Sequence, residues 1–327
     1  MTFELTYGCN LRCLHCYNPT HRMLPHELTT AEICSILDQI ADLGVLNVTF
    51  TGGEPAVRPD IVPILRHARA RGLLLQLLTN ATRITSSFAM ILREVGVSQI
   101  NVSIYGATAS TYERMTAIPG SYALFLQGIR CLAAFRLPVM VRMAVTTINQ
   151  KEIDACRTLV EDHGFKFQYC LDMMPRTDGD RTPLTYRLSP ADKHRIDRTL
   201  LSLPVDRVVE DHCRSSSSFI ACACGKSRFA ITPYGEMNLC VAFPIPKFNL
   251  REGTVKDGWA MLVETVDRAI PNTDYKCPSC DVRSHCRQGR SDAWLETGNM
   301  SRCLPHFKEF ARLEQQTYVH LDSRRTR

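Results

Sequence analysis

The chain lacks an apolar run long enough to cross a bilayer, and it opens on MTFELTYGCN without a basic flank, a long hydrophobic stretch or a small-residue cleavage site. These absences argue against a membrane span and a secretory signal, so a cytoplasmic protein is expected. Charge of one sign is also scarce: a net +6 over 327 residues, part of it in the terminal SRRTR, makes no case for nucleic acid. There is no internal repeat beyond β–α units. No separate recognition domain is expected ahead of the first strand. A hydrophobic fraction of 45% and a charged fraction of 22% are ordinary for a globular protein, and a chain this long needs no disulfides to fold.

What the sequence does have is 15 cysteines. Disulfide scaffolds reach such counts, but they are short and exported. In a reducing compartment a chain this rich in thiols points to metal.

Residues 1–171 alternate β-type runs (3–7, 46–51, 73–79, 99–103, 139–145 and 166–171) with amphipathic stretches such as TTAEICSILDQIADLG, PDIVPILRHARARG and SYALFLQGIRCLAAF. Thr30 and Gly44 read as the start and stop of the first helix. Six β–α units predict an α/β fold with a parallel sheet, open or closed into a partial barrel, and active residues at the C-terminal strand ends. Residues 172–213 read as a loop (MMPRTDGDRTPLT) and a connecting helix from about Pro190 to Leu201. Residues 214–221 (from RSSSS) read as a linker, 222–303 as a second, metal-organised domain, and 304–327 as a helix with a basic disordered tail.

Cys9, Cys13 and Cys16 form a CX3CX2C loop directly after the first strand. Three thiolates on one short loop can hold three irons of a cubane cluster and leave the fourth open; a zinc site or unrelated thiols are the alternatives. Thr51-Gly52-Gly53-Glu54-Pro55 ends the second strand, where backbone must approach a ligand closely. Taken together, CNLRCLHCY, TGGEP and the six β–α units resemble the radical S-adenosylmethionine (SAM) superfamily over residues 2–171. The resemblance implies a partial (β/α)6 TIM-like barrel and a [4Fe-4S] cluster on Cys9, Cys13 and Cys16. It also implies reductive cleavage of SAM to a 5′-deoxyadenosyl radical. Gly52, Gly53 and Glu54 would hold the methionyl amino group, and His15 would meet adenine. Asn80 and Ser103, at strand ends, are candidates for ribose or carboxylate, and Arg142 for the methionyl carboxylate. The cofactor carries the chemistry; the barrel excludes water and aims a hydrogen atom at the radical.

Downstream, Cys222-Ala-Cys224, Gly235-X4-Cys240, Cys277-X2-Cys280-X5-Cys286 and Cys303 resemble the SPASM extension, which holds two auxiliary clusters. Cys277, Cys280, Cys286 and Cys303 complete one ligand set, with zinc as an alternative. The other departs from the pattern: where a further cysteine follows Cys286, this chain reads Arg287-Gln-Gly-Arg290. That leaves Cys222, Cys224 and Cys240, with Cys213 a remote candidate. A three-ligand cluster with an open iron for a substrate thiolate is one expectation, buried thiols the other. Cys34, Cys131, Cys156 and Cys170 read as packed thiols. Tyr105 reads as a pocket or turn residue, and His21 and His26 as solvated.

The resemblance is greatest to maturases of ribosomally made peptides, which implies a peptide substrate and a thioether or carbon–carbon crosslink or related oxidation. Such a peptide would come with a separate leader-recognition protein or dock at the barrel mouth. An electron donor such as flavodoxin or ferredoxin is implied as well. The alternatives are a dehydrogenase or modifying enzyme of a small molecule, an amino sugar or tetrapyrrole, and a non-catalytic electron-transfer protein.

Overall fold

The computed structural model describes residues 1–201 and 218–325. The linker reading at 214–217 and the candidate Cys213 lie outside them. Six parallel strands run β1 Thr2–Thr6, β2 Asn47–Gly52, β3 Leu74–Thr79, β4 Gln99–Ile104, β5 Val139–Ala144 and β6 Lys166–Cys170, each within a residue or two of its predicted bounds. Between them lie α1 Thr30–Asp42, α2 Ile61–Ala70, α3 Ser86–Val95, α4 Ala109–Thr116, α5 Ser121–Ala134 and α6 Ile153–Asp162; α7, Pro190–Leu201, follows β6. The start of α1 is one residue earlier than expected. Thr29 caps it and closes a capping box with Glu32, because its hydroxyl accepts from the Glu32 N–H while the Glu32 carboxylate accepts from Thr29 N.

The strands alternate. Phe3, Leu5, Val48, Phe50, Leu75, Leu77, Ile100, Val102, Val141 and Met143 are buried on one face, beneath the helices. The residues between them (Glu4, Thr49, Thr51, Gln76, Asn101, Ser103 and Arg142 among others) give the concave face a polar lining. A parallel sheet covered by helices on one side only is what leaves such a lining to face a cofactor rather than a second core.

The second lobe is not a detached domain. Its β7, Ala230–Ile231, pairs parallel with β1 at Thr2 and Phe3, and β8 Glu236–Asn238 and β9 Phe248–Asn249 continue antiparallel. One sheet of nine strands results, in the order β6-β5-β4-β3-β2-β1-β7-β8-β9. Backbone hydrogen bonds from β7 cover the β1 edge. Helices α8 Val255–Asp267, α9 Arg290–Thr297 and α10 Pro305–Arg325 complete the lobe. Phe307, Phe310 and Ala311 anchor the first turns of α10 in the interior, and helix propagates cheaply from a fixed start.

Ion pairs tie the lobes together. Arg187 donates to the Met173 carbonyl (2.7 Å) and to the buried Glu296 of α9. Arg287 reaches Asp197 of α7 (3.3 Å) and Glu314 of α10 (3.1 Å). Among the described residues, no helix is long and apolar enough to cross a membrane.

Candidate functional site

The cysteine loop leaves β1 and folds back over the C-terminal ends of the strands. Cys9 N donates to the His21 carbonyl (3.1 Å), Arg12 N to the Thr116 carbonyl (2.9 Å) and Leu14 N to the Met115 carbonyl (3.0 Å), so the loop is pinned to its own exit and to the end of α4. Asn18, fully buried, donates to the Tyr7 carbonyl (2.9 Å), and its side-chain oxygen accepts from Thr20 N and His21 N. His21 is therefore a buried part of the loop's frame, 8% exposed, and not the solvated residue expected. His26 is exposed.

Burial raises all three thiols. Cys9 is pushed up to about 12 and Cys16 to about 11. Cys13 is driven well above its ordinary value, with Cys16 and Cys9 adding to the effect of burial and a Tyr105 contact opposing it. Three neighbouring thiols, one buried and two partly so, stay protonated unless a positive charge replaces the protons, which is the condition a metal cluster meets. The surroundings fit a bound cofactor too. His15 Nδ1 and the Tyr112 hydroxyl are buried without a hydrogen-bond partner. The His15 ring lies 5.1 Å from that of Tyr105, which lies 5.4 Å from Tyr112. Burial lowers His15 to about 4, so its ring is neutral and free to accept.

The end of β2 is pressed against this loop. Gly53 N donates to the Thr6 carbonyl (2.7 Å) and Glu54 N to the Gly8 carbonyl (2.9 Å). A Cβ on Gly52 would fall 2.2 Å from the Thr6 oxygen, and one on Gly53 2.2 Å from the Gly8 oxygen; Gly52 also has φ +126°, which side chains avoid. The Glu54 side chain does not project into the site. It is wholly buried, and its carboxylate accepts from Thr79 Oγ1 (2.8 Å), Ala56 N (3.0 Å) and Asn80 N (2.6 Å), which braces β2 against β3. At 52–54, backbone is what remains for a ligand.

Asn80 follows β3 and reaches the cysteine loop. Its amide donates to Asn10 Oδ1 (3.1 Å) and contacts Cys9 Sγ (3.8 Å), while its oxygen accepts from Thr82 N and Oγ1. It braces the cysteine loop. Ser103 and Arg142 are cross-strand partners on the concave face, and Arg142 is exposed there beside Cys170. Cys170 is itself exposed, not packed as expected, because β6 is the last strand of the sheet. Cys156 is buried, whereas Cys34 and Cys131 are only partly so. Glu4 was not foreseen as a site residue. It is buried on the concave face, accepts from the Tyr17 hydroxyl (3.1 Å), and burial pushes its carboxyl up to about 7. Nothing in its local sequence distinguishes it from a strand carboxylate facing water.

In the second lobe Cys277, Cys280, Cys286 and Cys303 line a cavity of about 540 Å³, with Cys222 on its wall. Among the described residues no three His, Cys, Asp or Glu side chains converge on a single metal ion; the four cysteines surround a space. Cys222, Cys224 and Cys240 form a second group. Cys224 is hydrogen-bonded to both others, which lowers Cys240 and raises Cys222. Arg290 lies over Tyr275 (5.1 Å) with its guanidinium 3.8 Å from Cys277 Sγ. Arg290 thus places a cation beside the Cys277 thiol, and Arg287 ties this segment to α7 and α10.

This is a radical SAM domain: residues 3–160 match the Radical SAM superfamily, and the chain is a radical SAM enzyme, a class that uses a [4Fe-4S] cluster and SAM. Over 91% of its length it is 27% identical to the AdoMet-dependent heme synthase of Methanosarcina barkeri, covering 93% of that protein. It is likewise 27% identical over 91% of its length to the mycofactocin maturase MftC of Mycobacterium tuberculosis, covering 79% of it. Streptococcus suis SuiB bound to its precursor peptide SuiA has the same fold, with a TM-score of 0.73 at 17% identity, covering 92% of this chain and 73% of SuiB.

Proposed function

We propose that this radical SAM enzyme modifies a ribosomally made peptide, abstracting a hydrogen from a side chain on the way to a crosslink or related oxidation. When bound, the cluster on Cys9, Cys13 and Cys16 supplies one-electron cleavage of SAM to a 5′-deoxyadenosyl radical. The Gly52–Gly53 backbone receives the methionyl end, His15 accepts from adenine, and Ser103 and Arg142 face the carboxylate or ribose. Cys277, Cys280, Cys286 and Cys303 hold one auxiliary cluster, and Cys222, Cys224 and Cys240 a second with an open position. Replacing these last three by alanine is expected to remove about four irons per chain while the SAM-dependent spectrum persists. Unchanged iron content would leave one auxiliary cluster and three packed thiols.

One observation carries the peptide reading. Among the described residues β6 pairs with β5 and stands at the end of the sheet, and each of its residues is at least partly exposed. It thus presents a sheet edge beside Arg142 and Cys170. An extended peptide gains main-chain hydrogen bonds from such an edge; a macrocycle gains none. SuiA, the precursor peptide bound to SuiB, supports the same reading. The second reading, a tetrapyrrole-modifying enzyme, is favoured by the match along 93% of the heme synthase. Anaerobic assays with dithionite and SAM separate them. Faster 5′-deoxyadenosine release with a short co-encoded peptide, together with a mass change in that peptide, is the expected result. Release coupled to turnover of an iron porphyrin without any peptide would replace it.

A further inference from the structure

Arg290 opens α9 on the wall of the cysteine-lined cavity. A cation in the first turn of a helix works against the helix dipole, which favours an acid such as Asp292 there. Arg290 is therefore not placed to stabilise α9, and its contacts lie elsewhere. Its guanidinium donates to the Met300 carbonyl (3.1 Å) and to Cys277 Sγ (3.8 Å). It lies over the rings of Tyr275 (5.1 Å) and Phe219 (5.5 Å), which meet each other edge to face at 5.1 Å. Two rings and a carbonyl fix a planar cation in place without neutralising it.

The other charges around the cavity are neutralised or in water. Asp281, beside Cys280 Sγ (3.6 Å), is paired with Lys308 (3.8 Å). Arg287 is paired with Asp197 and Glu314. Arg283 is exposed, so solvent and salt screen it. Arg290 is partly buried, and among the described residues no carboxylate pairs with it. Its charge is left to act on the nearest ligand sulfur, that of Cys277.

We propose that Arg290 is a positioning residue for the auxiliary cluster: its fixed cation, donating to Cys277, favours the reduced form and raises the one-electron potential. The proposal rests on the reading that Cys277, Cys280, Cys286 and Cys303 hold an iron–sulfur cluster. One added electron adds one negative charge to such a cluster. A hydrogen bond to a ligand sulfur and a nearby positive charge both favour the form that carries it. A guanidinium keeps its own proton throughout, so the electron is taken up without a proton.

The experiment uses the reconstituted full chain and its Arg290→Gln and Arg290→Lys variants. A Cys277→Ala, Cys280→Ala double variant marks the electron paramagnetic resonance signal that belongs to this lobe. Each protein is titrated with dithionite against redox mediators at neutral and at mildly alkaline pH, with iron content and melting temperature measured alongside. Arg290→Gln loses the charge. It is expected to lower the ratio of reduced to oxidised cluster about tenfold at a fixed potential, about 59 mV for a one-electron couple. Arg290→Lys keeps the charge and should recover most of that loss, with the same result at both pH values. An unmoved potential in Arg290→Gln with wild-type iron content would overturn the proposal. So would an equal fall in both variants, or loss of this lobe's iron from both, since either makes Arg290 a structural brace. A shift confined to one pH would overturn it as well, by assigning the effect to a titrating group. If the double cysteine variant keeps the wild-type iron content and spectrum, the auxiliary-cluster reading itself fails, and the proposal with it.

Discussion

Replacing Cys13 by alanine is expected to bring 5′-deoxyadenosine formation down to background, a loss of at least about a thousandfold, as for residues that act as one unit. Cys13 is the most enclosed of the three loop thiols, 6% exposed, and its neighbours are Cys9, Cys16 and Tyr105. The buried pocket has no other cysteine on that loop to substitute, and a cubane deprived of one of three ligands is left with two open irons. Anaerobic reconstitution followed by iron analysis and mass spectrometry of the SAM products checks this. Cys156→Ala serves as the control: Cys156 is buried in α6 away from the loop, and its loss should lower stability without touching cleavage. Cleavage by the Cys13 variant at the wild-type rate would remove the loop from the chemistry.

Gly53→Ala carries the second large effect, and it is steric. Gly53 has no positive φ, so alanine meets no backbone penalty there; the added methyl would lie 2.2 Å from the Gly8 carbonyl oxygen and 2.7 Å from that of Tyr7. Neither atom belongs to a flexible side chain. The junction must open, and with it the bonds from Gly53 N to Thr6 and from Glu54 N to Gly8. Overpacking of this kind costs about 1–3 kcal/mol. The larger consequence is for the ligand, because the 52–54 backbone and the cysteine loop move apart. A fall in SAM affinity of about a hundredfold, roughly 2.7 kcal/mol, is expected by equilibrium dialysis. Gly44→Ala is the contrast. Gly44 has φ +78° and nothing within 4 Å of a new Cβ, so it should cost about 1 kcal/mol of stability and leave SAM binding intact. Equal SAM affinity in Gly53→Ala and wild type would show that the junction tolerates separation.

Several features of the site lay open in the linear order of residues. Thiols three and four residues apart share a loop whatever the rest of the chain does, so Cys9, Cys13 and Cys16 could be grouped without coordinates. Six apolar runs at β-type spacing, separated by helical periods, dictated the parallel sheet, since each strand's periodicity is a local property. TGGEP at the end of β2 marked a close approach of backbone. The side chains behaved differently. Glu54 and Asn80 were expected near the cofactor, and their bonds to other segments had no signal in the sequence: Thr79 and the Asn80 N–H for one, Asn10 and Cys9 for the other.

Sequence alone therefore determined the cluster loop, the barrel strands and the presence of a cysteine-rich second lobe, because each depends on spacing along the chain. Tertiary structure decided what β1 pairs with on its outer side, that Cys222, Cys224 and Cys240 meet, and that His21 and Glu4 are buried. Those outcomes depend on strand register and on segments tens or hundreds of residues apart reaching the same place, and no local pattern encodes which hydrogen-bonding groups will be left unpaired once they do.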